Sequence, residues 1–286
     1  MNAVPCLKKR ILILLLAGIL LLAGCGSMAP SGDDKSEGSP TLRVVFFPVG
    51  KADAILLQTE NVAVLIDAGE KNTSKALVSA LGELKVSELD CLILTHFDKD
   101  HIGGAARVLE NIPVRQVLQS NYVKESDEVD DYFAALAKTG LEAETVRNEL
   151  SFSLGGVQFT VDPPKEEEYA DDPSNNSSLI VTVECGERRL LFLGDAEKDR
   201  LNEWLIVDRG HFDLIKMPHH GSWHKPLKAL LEMTQPAYAV ITSSDAEPED
   251  EETVDLLETQ HVETFFTRRG AVRFTCDGHT LSGEYL

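Results

Sequence analysis

Basic residues are in short supply. The 286-residue sequence holds 27 lysines and arginines against 47 aspartates and glutamates, a formal net charge of −20. Such a field repels nucleic acid over most of the surface and disfavours a general polyanion binder, while leaving room for a small metal-bearing cleft. Cysteine is scarce too. The five residues stand at Cys6, Cys25, Cys91, Cys185 and Cys276, with no CxxC or Cys/His ligand spacing. That excludes a zinc-finger framework. Once Cys6 is assigned to a removed leader and Cys25 to a lipid anchor, an odd three remain, which cannot form a full disulfide framework. They read as buried small hydrophobes, with a single disulfide left open if the chain is exported. Long apolar runs are limited to residues 11–22, shorter than the roughly 20 residues of a membrane span, so a multi-span membrane protein is excluded. What is there is 43% hydrophobic and 26% charged. This is ordinary globular composition, in a length that suits one large α/β domain or two small ones.

The apolar run follows Lys8, Lys9 and Arg10 and ends in Leu22-Ala23-Gly24-Cys25. A basic segment followed by a short apolar one is the pattern of a secretory signal. Small residues before a cysteine resemble a bacterial lipobox, which implies removal of residues 1–24 and lipidation of Cys25. Residues 25–40 are rich in Gly, Ser, Pro and charge and read as a flexible tether. A domain spanning 41–286 would then be held outside the cytoplasm, anchored to a bacterial membrane by its N-terminal lipid.

Short β-branched runs bounded by Gly, Asp or Pro predict strands over 42–47, 54–58, 62–66, 92–95, 114–119, 179–184, 189–193, 212–217, 237–242, 262–266 and 271–275. Helical periodicity predicts helices over 74–84, 127–138, 196–207, 226–233 and 253–259. Ser126 followed by two acidic residues marks a helix start and Gly140 its stop. Glu166-Glu167-Glu168 and Asp171-Asp172 sit in a Pro-containing stretch that reads as a solvated loop. The two halves share a rhythm of strands, helix, strand and polar loop, which points to an α/β fold of two mixed sheets, each covered by helices on its outer side.

The chemistry-bearing residues fall in polar loops that follow apolar strands. The densest is Thr95-His96-Phe97-Asp98-Lys99-Asp100-His101-Ile102-Gly103-Gly104. Four competent ligands within six positions, His96, Asp98, Asp100 and His101, are costly to bury unless a shared partner satisfies them, and a metal ion does so. A second strand ends in Gly194-Asp195-Ala196-Glu197 and a third in Pro218-His219-His220-Gly221-Ser222-Trp223-His224. Alone, the second is a turn or helix cap and the third a surface cluster. Together they complete an inventory of His96, Asp98, Asp100, His101, Asp195 and His219 or His220. That set suits two divalent ions sharing a hydroxide, with Asp195 as the bridging carboxylate. Asp67, at the end of a further strand, would orient a ligand histidine from behind.

These residues resemble the metallo-β-lactamase fold superfamily. His96-Phe97-Asp98-Lys99-Asp100-His101 is the HxDxDH variant of its HxHxDH motif. More closely, the chain is similar to the metallohydrolase domain of the ComEC-type competence proteins. Val49-Gly50-Lys51-Ala52-Asp53-Ala54-Ile55, Asn175-Asn176-Ser177-Ser178-Leu179, Gly194–Glu197 and Pro218–Ser222 follow that family's segments in order across about residues 42–275. The resemblance implies an αββα sandwich with metals at one sheet edge. It also implies supporting or substrate-facing roles for Asp53, Asn175 and Asn176. Asn175 or Asn176 stands where many members carry a further histidine ligand, which implies one weaker metal; carboxylate-rich sites accept manganese as well as zinc. Glu247-Pro248 stands where the family often has His-Pro, an acidic group in place of a phosphate donor. No run in this sequence corresponds to that family's membrane-channel helices, so DNA translocation is not expected of it.

The expected function is a lipid-anchored metallohydrolase with two Zn or Mn ions, acting on phosphodiesters. Asp100, His219 and His220 carry the chemistry, and His219 or His220 binds or protonates the leaving side. A phosphodiester-containing small molecule or envelope polymer is the expected substrate; nucleic acid is disfavoured by the acidic surface, and a cationic headgroup such as choline suits it better. No protein partner is expected. The alternatives are ester or lactam hydrolysis on the same fold, or a metal-binding surface lipoprotein without turnover.

Overall fold

The computed structural model describes residues 40–286. The expected signal sequence, Cys25 and the tether up to residue 39 lie outside the described residues. In chain order the first half holds β1 (Leu42–Phe46), β2 (Ile55–Gln58), β3 (Ala63–Ile66), α1 (Ser74–Glu83), β4 (Cys91–Leu94), α2 (Lys99–Ile102), α3 (Ala105–Asn111), β5 (Val117–Gln119), α4 (Asp127–Thr139) and β6 (Glu144–Thr145). The second half holds β7 (Leu150–Leu154), β8 (Val157–Asp162), α5 (Pro173–Asn176), β9 (Ile180–Cys185), β10 (Arg188–Phe192), α6 (Lys198–Trp204), β11 (Leu214–Lys216), α7 (Leu227–Thr234), β12 (Tyr238–Ile241), α8 (Glu251–Thr259), β13 (Glu263–Phe266), β14 (Val272–Cys276) and β15 (Leu281–Tyr285).

Two mixed sheets form, in the orders β15-β14-β1-β2-β3-β4-β5-β6 and β13-β12-β11-β10-β9-β8-β7. Each is antiparallel at one end and parallel at the other. β3, β4, β5 and β6 run parallel in the first sheet, and β10, β11, β12 and β13 in the second. Strand alternation explains the layers. Val44, Phe46, Ile93, Leu190 and Phe192 face the other sheet and form a shared core with Phe159, Val181 and Phe274. The opposite faces, such as Leu92 and Leu94, pack on α1, α3 and α4 through Leu77, Val108 and Tyr132. Leu191 and Ile215 pack on α6, α7 and α8 through Leu201, Leu230 and Leu257. Strands buried on both faces read as continuous apolar runs, which is why they stand out in the sequence.

Local signals hold at α4. Ser126 accepts a hydrogen bond from Val129 N, the first turn carries Asp127, Glu128 and Asp130, and Gly140 closes the helix at φ 72°. The β7–β8 hairpin, β6, β15 and the short helices α2 and α5 were not expected as elements, whereas α3 starts after Gly103-Gly104 as expected. β7, β6 and β15 are edge or near-edge strands with few buried side chains, so they lack the apolar runs of the central strands. Cys91, Cys185 and Cys276 are free and buried, and burial pushes the Cys91 thiol up to about 12. Among the described residues no helix is long and apolar enough to cross a membrane.

Candidate metal centre

Parallel strands direct their carboxyl ends to one edge, where the following loops gather. Asp67 follows β3, Thr95 and His96 follow β4, Asp195 follows β10, His220 follows β11 and Thr242 follows β12. The site thus draws on both sheets. His101 Nε2 lies 3.1 Å from Asp195 Oδ1 and 3.3 Å from His220 Nε2. His220 Nε2 lies 3.1 Å from Asp195 Oδ2 and 3.2 Å from Asp100 Oδ2. Four donors bound at ~2.0–2.1 Å to a tetrahedral ion stand roughly 3.3 Å apart; these four contacts match that edge, and one ligand atom from each of Asp100, His101, Asp195 and His220 lies within 4.8 Å of the others. The cluster is buried except at its mouth, where Asp100 keeps 22% of its side chain exposed.

Each histidine is held from behind. Asp67 Oδ2 lies 2.8 Å from His101 Nδ1, and the same carboxylate accepts from Thr95 N at 2.8 Å and Thr95 Oγ1 at 2.7 Å. That contact turns His101 Nε2 toward the cluster. His220 Nδ1 lies 3.0 Å from Thr242 Oγ1, which donates to Asp53 Oδ1 at 2.6 Å. Asp53 is ion-paired with the wholly buried Lys216, whose Nζ also donates to Gly194 O at 2.9 Å and reaches Asp195 Oδ1 at 3.5 Å.

The charges follow from this packing. Burial pulls the His101 and His220 imidazoles down, but Asp195 together with Asp67 or Asp100 outweighs it and raises both above the ordinary value. Burial raises the Asp195 carboxyl, and His101, His220 and Lys216 outweigh that and hold it well below the usual range. Asp100 is likewise depressed, against its burial, by His220 and His101. His96 differs: burial, helped by His101, pulls it down to about 4, and its buried Nε2 has no hydrogen-bond partner. An orphaned imidazole nitrogen whose ring lies 4.1 Å from the His101 ring is a lone pair awaiting an acceptor of electrons, so the donor set fits a metal.

Other sequence-expected residues stand elsewhere. Asp98 turns away from the four-donor cluster, accepting from Ser174 Oγ and from Lys124 Nζ at 2.9 Å. Both oxygens of Asp195 face His101 and His220, so a bridging role requires one to turn toward His96. His219 lies 4.0 Å from Asp195 and pairs instead with Glu197. Asn175 donates to Asp172 and Glu197 at 3.2 Å, while Asn176 joins Asp171 to α6 through Arg200 N. Glu247 is exposed and makes a turn with Ser244; the acidic group at that edge is Glu249, bonded to Ser243 and Arg268. Lys216 and Thr242 escaped the sequence reading. A lysine inside the apolar run Phe212–Met217 was the available signal, because an unpaired lysine is almost never buried.

Two sheets with a His/Asp donor cluster at one edge define a metal-centred enzyme fold. The chain belongs to the metallo-beta-lactamase superfamily, whose family model matches residues 48–243. ComE operon protein 3 of Bacillus subtilis (strain 168) is 31% identical over 173 residues, 59% of this chain and 22% of that protein. Competence protein ComA of Neisseria gonorrhoeae is 27% identical over 232 residues, 80% of this chain and 30% of that one. The chain therefore spans less than a third of these relatives. Among solved structures, the metallo-beta-lactamase fold protein YhfI from Bacillus subtilis superposes with a TM-score of 0.55 at 12% identity, covering 86% of this chain and all of that one. Zn(2+)-bound PqqB from Methylobacterium extorquens gives 0.52 at 13% identity, over 75% and 85%. These two share the fold. The superfamily and its donor set support a metallohydrolase or related enzyme.

Proposed function

We propose that residues 41–286 form a metal-dependent phosphodiesterase domain, held outside the cytoplasm by lipid at Cys25. The observation that carries the hydrolase reading is the set of four donors, from both sheets, whose ligand atoms lie within 4.8 Å of one another and whose closest contacts are 3.1–3.3 Å. Asp100, His101, Asp195 and His220 would hold one divalent ion, and His96 with Asp98 and a turned Asp195 a second, each Zn or Mn. Bound ions supply Lewis acidity toward a phosphoryl oxygen and bring the pKa of water toward neutrality. Asp67 and Thr242 keep His101 and His220 in one tautomer and orientation. Lys216 balances the charge of Asp53 and Asp195. His219, 24% exposed beside Asp195, is placed to bind or protonate a leaving oxygen. The net charge of −20 favours a phosphodiester with a cationic headgroup, on a small molecule or envelope polymer, over nucleic acid.

The test is hydrolysis of bis(p-nitrophenyl) phosphate by the stripped protein, then with Mn²⁺ or Zn²⁺, beside Asp195→Ala. The expected result is metal-dependent turnover that the substitution abolishes. Metal bound without turnover on this ester would overturn the phosphodiesterase reading, and nitrocefin cleavage lost in Asp100→Ala would replace it with lactam hydrolysis.

A further inference from the structure

His219 and His220 are adjacent in sequence yet serve different surroundings. Both have left-handed backbones, φ 45° and 53°, a conformation that is uncommon for residues with a side chain and that concentrates at functional sites. The consequence is a splay. His220 enters the four-donor cluster, while His219 leaves it for a second group with Glu197 and His224.

We propose that Glu197, His219 and His224 form a separate divalent-cation site beside the principal one. Glu197 Oε1 lies 2.9 Å from His219 Nδ1, an ion-pair contact that lowers the Glu197 carboxyl against its burial. His224 Nε2 is buried without a hydrogen-bond partner. The His219 and His224 rings stack at 5.7 Å and 15°, which brings the two imidazoles to one side. One ligand atom from each of the three residues lies within 4.8 Å of the others. Glu197 is steadied by Asn175 Nδ2 at 3.2 Å, and Asn175 by Asp172. An ion pair with a ring stack would account for the proximity of His219 and Glu197 but leaves the buried His224 Nε2 without a partner. A cation accepts a lone pair from each imidazole and the carboxylate at once.

Two imidazoles and one carboxylate are a zinc donor set with a fourth position open. A tetrahedral site has an edge of roughly 3.3 Å, and all three residues are half-buried rather than locked in the core, so their side chains are free to close on an ion. The site does not depend on catalysis by the principal centre.

The test is Zn²⁺ binding to the stripped full-length chain, followed by calorimetry and by elemental analysis after desalting, with Co²⁺ absorption as a second readout. Glu197→Gln, His224→Gln and His220→Ala are compared with wild type, each checked for folding by circular dichroism. The expected result is one ion fewer, or at least tenfold weaker binding of one ion, in Glu197→Gln and in His224→Gln, with the ions of the principal centre retained. His220→Ala should instead lose binding at the principal centre, and combining it with His224→Gln should lose more than either substitution alone. Wild-type stoichiometry and affinity in whichever of Glu197→Gln and His224→Gln folds would overturn the proposal. So would a combined variant that loses no more than His220→Ala alone. If neither variant folds, the wild-type Co²⁺ titration decides: a third binding phase, beyond the two ions of the principal centre, supports the site, and two phases or fewer refute it. Turnover on bis(p-nitrophenyl) phosphate, measured in parallel, separates failure of this site from failure of the phosphodiesterase reading.

Discussion

Lys216 shows how much of the centre rests on one side chain. It is wholly buried and faces Asp53 and Asp195. Lys216→Met leaves two buried carboxylates short of their counter-charge. Breaking such a group from one side costs about 3–5 kcal/mol. The expected loss in urea denaturation of the metal-stripped protein is of that size, and smaller with metal bound, because the ion replaces the missing charge near Asp195. A loss under about 1 kcal/mol in the stripped protein would refute the counter-ion role. The histidines give a second residue-scale prediction. His101 and His220 are raised above the ordinary imidazole value. In the metal-free fold their protons contribute stability below about pH 6.5, lost as pH rises through the raised values. Metal must displace those protons, so affinity rises with pH, by up to about a hundredfold per unit if both leave. Calorimetry in buffers of different ionisation enthalpy reads this directly, and pH-independent affinity between about pH 6 and 8 would contradict it. The ligand types were legible because His and Asp crowd six positions after an apolar strand. The direction of Asp98, toward Lys124 and Ser174, was not, because it depends on α5 and a loop far along the chain.

At the scale of elements, the loop that carries Asp100 and His101 is pressed onto the loop after β3. Ala68 N donates to His101 O at 2.8 Å and Gly104 N to Gly69 O at 3.0 Å. A Cβ on Gly104 would stand 2.1 Å from Ala68 O, and backbone cannot yield as a side-chain tip does. Gly104→Ala should therefore push the two loops apart. It is expected to cost roughly 1–3 kcal/mol, as overpacking does, and to weaken metal binding together with stability. Thermal unfolding and zinc affinity check it; a variant with wild-type values in both would show that the loops have slack. The Gly103-Gly104 pair announced close packing in the sequence, but not against what. The β7–β8 hairpin was written there too. Gly155-Gly156 is a two-residue hairpin turn, with φ 58° and 80°, and Val157, Phe159 and Val161 alternate inward. It went unread because its apolar residues alternate with polar ones and form no continuous run. Central strands buried on both faces declare themselves, whereas half-exposed ones at the sheet margin carry a weaker signal.

For the whole molecule, the centre is a junction. Asp67, Asp100 and His101 come from the first sheet, and Asp195, Lys216, His220 and Thr242 from the second. The two-sheet architecture was legible from the repeated rhythm of strands and loops, whereas the pairing of the two strand-end clusters is a long-range fact that no local pattern contains. A cation held by donors from both sheets resists their separation, so metal should stabilise the fold as a ligand that binds only the native state. At a free concentration a hundred times the dissociation constant, that linkage is worth about 2.7 kcal/mol, or a melting-temperature rise of roughly 5–11 °C for a domain of this size. The shared apolar core between the sheets holds without the ion, so the stripped protein should stay folded but open more easily at the site edge. Hydrogen exchange with and without Zn²⁺ distinguishes this from a uniform effect. Protection gained at the carboxyl ends of β3, β4, β10, β11 and β12, and little at the β7–β8 end, is the expected pattern. A melting temperature unmoved by metal, or protection confined to one sheet, would show that the ion does not bridge the two.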